Sequence, residues 1–293
     1  MRVRLQEVAR RASVSMQTVS RVIRTPHLVS RETAERVHQA MQELGYVKNE
    51  QAVALRLGRT RTIGLLLPLL AIPFWSEVAA GAEARAHEHG YSLLLCDTSD
   101  SAAKEEQYIA LLLGYPVAGI IYAHPRCRPE THSACATLVQ SDMPVAVISI
   151  DPQDLPYTHV HTDDRRAGYV AIRHFFELGR KRLTLVSNNH GASLERVRGA
   201  YEALQEQGIP EETLTAYIVH DSYEGGYAIG EHIATAQEPL PDAIFSTTDT
   251  ITFGLLEALR SAGIAIPNDI AVASHDGLTA SAFVVPPLTT IAP

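Results

Sequence analysis

The apolar positions of the first 45 residues repeat with the period of an α-helix. Those of the first repeat are Leu5, Val8, Ala9 and Ala12, those of the second are Val19, Val22 and Ile23, and those of the third are Ala34, Val37, Met41 and Leu44. Ser15 and Ser30 stand where N-cap residues belong, and Gly45 stands where the third helix would end. The pattern predicts three short helices with a tight turn between the first two, which is the helix-turn-helix arrangement.

From residue 62 onward, apolar runs of strand length alternate with helical segments. The first predicted strands are TIGLLLPL, YSLLLCD, VAGIIYAH and PVAVISID, and the second set is RLTLVSN, LTAYIVHD, DAIFSTTD and DIAVASHD. Helices are predicted around residues 75–89, 102–114, 130–141, 164–178, 191–207, 224–235 and 250–262. Apolar strands joined by crossover helices form parallel sheets that are covered on both faces. The expected fold class is therefore α/β, with an all-α head followed by a two-lobed body of doubly wound parallel sheets.

Polar and aromatic residues follow the predicted strands, where open parallel sheets bind their ligands. These residues are Phe74, Trp75, Asp97 to Ser99, Tyr122 to His124, Ser149 to Asp151, Asn188, Asn189, Tyr223, Thr248, Asp249, His275 and Asp276. Carboxylates and amides pair with hydroxyl groups, and aromatic rings contact apolar faces of a ligand. The set predicts a cleft for a polyhydroxylated small molecule. The alternatives are that single members are loop or cap residues, and that Phe74 and Trp75 belong to the core.

Charge is distributed unevenly along the chain. The net charge is −8, to which residues 1–62 contribute +7 and the remainder −15. A basic head on an acidic body indicates a polyanionic partner for the head alone.

The second predicted helix of the head carries the candidate DNA-reading residues. Its outward side chains are Met16, Gln17, Thr18, Ser20 and Arg21. In a helix-turn-helix this helix enters the major groove, where Gln17 can pair with adenine and Arg21 with guanine. Ser15, Thr18 and Ser30 suit phosphate oxygens. The alternative is a compact three-helix cap with a solvated basic face.

Motifs in the first 68 residues keep the order and spacing of a known family. In order, they are LQEVARRASVSMQTVSRVIR, VS, ELGY, N..A..L and TRTIGLLLP. This series resembles the LacI/GalR family of bacterial transcription regulators. The resemblance implies a hinge helix over residues 49–57, with Leu55 wedged into the DNA minor groove. Asn49 and Ala52 match hinge positions, whereas Lys48 and Val53 stand where the family usually has Pro and Arg.

The resemblance covers essentially the whole chain and implies a two-lobed sensor body like the periplasmic binding proteins. It assigns effector contacts to Arg196 in SLERVRGAYEAL, to Asp249 in FSTTDTITFG and to Asp276 in AVASHDGL. Thr248 stands where Asn is usual, so the effector is not transferable from one relative. Together with the strand-end residues, the expected effector site comprises Phe74, Trp75, Asp97, Tyr122, Asp151, Arg196, Tyr223, Thr248, Asp249 and Asp276.

Five segments are expected. They are a helix-turn-helix domain over residues 1–47, a hinge over 48–61, a first effector-binding lobe over 62–156, a second lobe over 157–289, and the start of a crossover back to the first lobe at 290–293. In the family PPLTTI leads into that crossover, and this sequence stops at Pro293.

Other classes of site have little support in the sequence. Cys96, Cys127 and Cys135 include no CxxC pair, which argues against a zinc ribbon and a disulfide framework. His159 and His161 have no third ligand placed with them, so no metal is expected. No nucleophile, base and orienting group occur together, so we expect no catalytic residue, no enzymatic activity and no cofactor. Without a membrane-length apolar run or a signal peptide, the expected location is the cytosol.

The predicted function is sequence-specific DNA-binding transcriptional regulation. We expect a repressor that binds a pseudo-palindromic operator as a homodimer, with a tetramer as the alternative assembly. The expected effector is a sugar or sugar phosphate bound between the two lobes. The competing hypotheses are a solute-binding module without a DNA-reading role, and a regulator that responds to a nucleobase or to a phosphorylated protein corepressor.

Overall fold

The structure, a computed structural model, describes residues 3–46, 60–123, 133–148 and 157–293. Its contacts separate two units, Met1–Thr60 and Arg61–Pro293. None of the helices in these ranges has both the length and the apolar character that a membrane span requires.

The first unit is a three-helix cluster. Its helices are α1 (Leu5–Arg11), α2 (Met16–Arg24), the short 3-10 helix Pro26–Leu28 and α3 (Arg31–Leu44). The predicted caps are confirmed, because Ser15 Oγ accepts the Thr18 N–H at 3.1 Å and Ser30 Oγ accepts the Thr33 N–H at 3.4 Å. Gly45 ends α3 with a φ of 61°, a conformation that glycine adopts without a Cβ clash.

The apolar stripes that the sequence predicts for the head do meet. Val8, Val19 and Val37 are fully buried, one from each α-helix. Each helix is too short to be stable alone in water, so this shared core is what holds the three together.

The second unit alternates strands and helices. Its strands are β1 (Thr62–Leu67), β2 (Ser92–Asp97), β3 (Gly119–Ala123), β4 (Val145–Ile148), β5 (Thr158–Val160), β6 (Leu183–Ser187), β7 (Thr215–Ile218), β8 (Ala243–Ser246), β9 (Ala271–His275) and β10 (Thr289–Ile291). Its α-helices are α4 (Pro73–Glu88), α5 (Ala102–Gly114), α6 (Ser133–Gln140), α7 (Asp164–Glu177), α8 (Gly191–Glu206), α9 (Tyr223–Thr235) and α10 (Asp249–Ser261), with 3-10 helices at Glu211–Thr213 and Thr279–Ala282.

The strands form two parallel five-stranded sheets, one for each lobe. Their orders are β2-β1-β3-β4-β5 and β10-β9-β8-β6-β7. The direction in which successive strands are added to the sheet therefore reverses beside β1 in one sheet and beside β6 in the other. In such doubly wound sheets, ligands bind at the carboxyl ends of the strands near this reversal. The α/β fold class predicted from the sequence is confirmed.

Two short edge strands cross the lobe boundaries expected from the sequence. β5 pairs with β4, so residues 158–160 belong to the first sheet rather than to the second lobe. β10 pairs with β9, so Thr290 and Ile291 lie in the second sheet. Both strands have three residues, too few for a periodic pattern to reveal which sheet they join.

Paired glycines bring α7 and α8 into backbone contact. A Cβ at Gly168 would lie 1.7 Å from the Arg196 carbonyl oxygen, and a Cβ at Gly199 would lie 1.7 Å from the Arg165 carbonyl oxygen. No other residue type fits at either position without separating the helices. This close approach brings the first turn of α7, with Asp164, against Arg196 on α8.

Candidate functional site

The exposed face of α2 carries the residues expected to contact DNA. Met16 is 52% exposed, and Gln17 and Arg21 are exposed beside it, whereas Thr18 and Ser20 are half-buried. The opposite face holds Val19 and Val22 in the core of the head. The helix is thereby fixed by its apolar face, and its polar face is open to a partner.

Both predicted phosphate-contacting helix ends are present. Ser15 caps α2 and Ser30 caps α3, each through one backbone N–H. The first backbone N–H groups of a helix have no partner within it, and they bind anionic oxygens readily. Asn49, Ala52 and Leu55, the predicted hinge residues, lie outside the described residues.

Arg196 forms the centre of a buried polar network at the carboxyl edge of the second sheet. It is 6% exposed. Its Nε and Nη2 each lie 2.8 Å from Asp164 Oδ1, and its Nη1 donates to the Thr247 carbonyl at 2.5 Å. Most of its donors are therefore engaged inside the lobe, and Asp164, which sequence reasoning missed, holds it.

Asp249 is not placed to contact an effector. Its side chain is fully buried, with 0% exposure. It accepts hydrogen bonds from the Leu278 N–H at 2.9 Å, from Ser281 Oγ at 2.7 Å and from Thr290 Oγ1 at 2.8 Å. The structure corrects the sequence expectation: this carboxylate fastens the segment after β9 to the start of α10.

Asp276 lies beside this network in an unusual backbone conformation. Its φ is 120°, in the region that L-residues rarely adopt and that often marks functional positions. Its Oδ2 accepts the Asp249 N–H at 3.2 Å, and its Oδ1 lies 3.5 Å from Arg196 Nη1 and 3.2 Å from His275 Nδ1. Burial raises the pKa of Asp276 to about 8. Burial also lowers the pKa of His275 to about 3, so that imidazole is neutral at pH 7.

The remaining second-lobe candidates lie at the starts of helices. Thr248 is the N-cap of α10, and its Oγ1 donates to Asp221 Oδ1 at 2.9 Å. Tyr223 begins α9, is exposed, and stacks on Phe253 with ring centroids 6.3 Å apart. Asp221 follows β7 and was missed because its partner Thr248 lies 27 residues further along the chain.

In the first lobe the structure corrects one more expectation. Tyr122 lies within the core, 1% exposed, and its hydroxyl donates to the buried Glu105 at 2.5 Å. It therefore presents no surface to an effector. The alternation along β3 sends this ring towards α5 rather than to the strand end.

The other first-lobe candidates lie at the carboxyl edge of the sheet. Phe74 and Trp75 meet edge to face with centroids 4.9 Å apart, and Trp75 also packs on a core cluster. Asp97 accepts the Leu70 N–H at 3.1 Å and the Ser99 N–H at 2.7 Å, which ties two loops together. Asp151 lies outside the described residues.

The two lobes touch beside these residues. The Thr279 N–H donates to Glu77 Oε1 at 3.4 Å, joining the second lobe to α4 of the first. In the ranges that the structure describes, no three His, Cys, Asp or Glu side chains are grouped so that they could hold a metal ion. The carboxyl edges of the two sheets thus carry polar side chains of the kind that bind small molecules.

Comparison with known proteins relates both units to one family. Residues 4–49 match the family described as bacterial regulatory proteins, lacI family. Residues 60–292 match the family described as periplasmic binding proteins and sugar binding domain of LacI family.

Individual relatives agree over nearly the full length. The chain is 33% identical over 294 residues to the HTH-type transcriptional regulator DegA of Bacillus subtilis (strain 168), covering 100% of this chain and 87% of that protein. It is 32% identical to the HTH-type transcriptional repressor PurR of Vibrio atlanticus (strain LGP32), covering 98% and 86%. The crystal structure of the Lac repressor bound to ONPG in the repressed state superposes with a TM-score of 0.86 at 25% identity, covering 100% and 88%.

Proposed function

The chain belongs to the LacI family of bacterial regulatory proteins, DNA-binding transcriptional regulators, and we propose that it is a repressor whose operator affinity is set by a small molecule bound at the sensor body. The single observation that carries the proposal is a capped, core-anchored α2 with an exposed polar face.

The DNA-reading roles follow from position on α2. Gln17 and Arg21 are one turn apart on the exposed face, where amide and guanidinium groups pair with adenine and guanine edges. Met16 offers apolar contact, which suits a thymine methyl. The proposed phosphate contacts are Ser15, Thr18, Ser20 and Ser30. The proposed minor-groove contacts are Asn49, Ala52 and Leu55.

The proposed assembly is a homodimer on a pseudo-palindromic operator. One α2 reads only one half-site, so two copies are needed to read both. Phe283 and Val285 are 79% and 85% exposed on the segment after β9. Large apolar side chains exposed together are typical of protein interfaces, and we assign this segment to contact with the second copy.

The proposed effector site lies at the carboxyl edges of the two sheets. Asp276 and Thr248 from the second lobe, with Phe74, Trp75 and Asp97 from the first, are its candidate contacts. Asp276 is two residues from Leu278, which Asp249 fixes together with Ser281. An effector that moves Asp276 would therefore act on the segment that carries Phe283. The matched description, which names a sugar binding domain, favours a sugar as the effector.

Arg21→Ala tests the DNA-reading proposal. With an operator chosen by selection from random duplexes, the variant should lose about 1 to 3 kcal/mol of binding free energy on that operator and little on random DNA. The control is Arg260→Ala, which removes an exposed arginine of equal charge from α10 in the other unit. Equal losses on both duplexes would remove base reading from Arg21, and a selection that yields no duplex bound by the unmodified chain would refute the proposed function.

A further inference from the structure

Asp221 is a partly buried carboxylate that is only half satisfied. It follows β7, and its Oδ1 accepts the Thr248 hydroxyl at 2.9 Å. Its Oδ2 has no hydrogen-bond partner in the part of the chain that the structure describes. Burial raises the pKa of Asp221, because the desolvated carboxylate lacks enough donors. An open acceptor of this kind favours a ligand that brings a donor.

Asp276 supplies a second carboxyl group next to the same helix start. Asp221 holds the Thr248 side chain, and Asp276 Oδ2 holds the Asp249 N–H at 3.2 Å. The negative charge of Asp221 adds to the groups that raise the pKa of Asp276. Both acids thus contact the start of α10.

The positive charge that acts on both acids is already neutralised. Arg196 lowers the pKa of Asp221 and of Asp276 by its charge, yet its Nε and Nη2 are both held by Asp164 at 2.8 Å. One arginine is therefore matched by one aspartate, and the carboxylate of Asp221 remains in excess.

Three backbone donors at the starts of α9 and α10 are engaged as well. The Asp249 N–H is taken by Asp276, the Ile251 N–H by Thr248 Oγ1 at 3.3 Å, and the Gly225 N–H by Ser222 Oγ at 3.0 Å. An anion arriving at the starts of α9 and α10 would find these donors occupied. Its charge would be desolvated beside the Asp221 carboxylate, which is unfavourable.

An open amide donor lies at the same sheet edge. Asn188 follows β6 and is 2% exposed. Its Oδ1 accepts the His190 N–H at 2.9 Å, while its Nδ2 has no partner among the described residues. A hydroxyl group donates and accepts at once, so a polyol can satisfy this amide and Asp221 Oδ2 together.

We propose that Asp221 is a specificity-determining residue of the effector site, which with Asp276 and Asn188 selects an uncharged or cationic molecule rich in hydroxyl or amino groups and rejects its phosphorylated form. This inference rests on the proposed function and narrows the effector that it names. A hydroxyl or ammonium of the ligand donates to Asp221 Oδ2, and a phosphate in its place is repelled by that carboxylate.

Paired probes test the inference by thermal unfolding of the full chain. The uncharged and cationic probes are glucose, ribose and glucosamine, and the anionic probes are glucose 6-phosphate and ribose 5-phosphate, all at equal ionic strength. We expect a saturable rise in melting temperature with at least one uncharged or cationic probe, because a ligand of the native state stabilises it. The phosphorylated partner of that probe should give no rise.

Variants that remove one carboxylate charge test whether the probe binds at Asp221. Asp221→Asn should weaken binding of the effective probe about tenfold or more, because hydrogen bonds to charged groups are the stronger ones. Asp142→Asn, an exposed carboxylate of the first lobe, is the matched control and should leave the affinity unchanged. The melting curve of each variant without probe establishes that it folds.

Three results would overturn the inference. The first is a phosphorylated probe that raises the melting temperature more than its parent does. The second is equal affinity for the effective probe in the Asp221→Asn and Asp142→Asn variants. The third is no rise in melting temperature with any probe, for a chain that still binds its operator. Operator binding is titrated in parallel, so a chain that binds no DNA refutes the proposed function independently of the sugar results.

Discussion

Asp276 couples folding of the second lobe to pH. Its pKa is raised from 3.8 to about 8 by burial, so between these values the native state holds a proton that the unfolded state releases. The contribution of this group to the free energy of unfolding is therefore fully present below pH 3.8 and is lost as the pH rises towards 8.

Asp276→Asn should remove this dependence. Asparagine tolerates a positive φ and stays neutral, so the variant should gain stability relative to the natural chain as the pH rises from 5 to 8. We expect a relative gain of at least about 1.4 kcal/mol, the equivalent of one pKa unit, in urea unfolding at both pH values. Asp142→Asn serves as the exposed control. A difference between variant and natural chain that is equal at pH 5 and pH 8 would contradict the assignment.

Single residues were predictable from sequence where local rules act. Ser15, Ser30 and Gly45 perform the capping roles that their positions predict, because caps depend on neighbours in the chain. The prediction was wrong for Tyr122 and Asp249, whose roles depend on which distant segments pack against them. Asp221 and Asp164 were missed for the same reason.

At the scale of elements, α7 and α8 depend on a contact that leaves no room for a side chain. Gly199→Ala should destabilise the second unit by about 1 to 3 kcal/mol, as overpacking does, because its methyl group would overlap the Arg165 carbonyl. Gly81→Ala is the matched control, since nothing lies within 4 Å of a Cβ at that position of α4.

The control substitution, Gly81→Ala, should increase stability instead of decreasing it. Alanine within a helix is favoured over glycine by roughly 0.5 to 1 kcal/mol, so Gly81→Ala should raise the free energy of urea unfolding. Equal stabilisation by both substitutions would mean that α7 and α8 are less tightly packed than described.

Long elements were largely predictable, and short ones were not. Seven helices and eight strands of the body follow from apolar runs that alternate with helical segments. β5 and β10 have three residues each, and their sheet membership depends on pairing with β4 and β9. Such pairing is a tertiary property that a local pattern does not encode.

At the scale of the molecule, Phe283 tests the proposed dimer. Phe283→Asp places a charge on the exposed segment after β9 and should shift sedimentation from dimer to monomer, with a parallel loss of operator affinity, because charges are depleted at interface cores. Leu178→Asp is the control, at a leucine that is 55% exposed just after α7. A Phe283→Asp variant that remains dimeric would show that the interface lies elsewhere.

The most direct test of the account is the affinity of the full chain for a selected operator and for random duplex across a salt series, measured by fluorescence anisotropy. A sequence-specific repressor should bind the operator at least about 10³-fold more tightly than random duplex, with log affinity falling by about 0.9 per neutralised phosphate for each unit of log salt concentration. Equal affinity for both duplexes, or affinity independent of salt, would contradict this expectation.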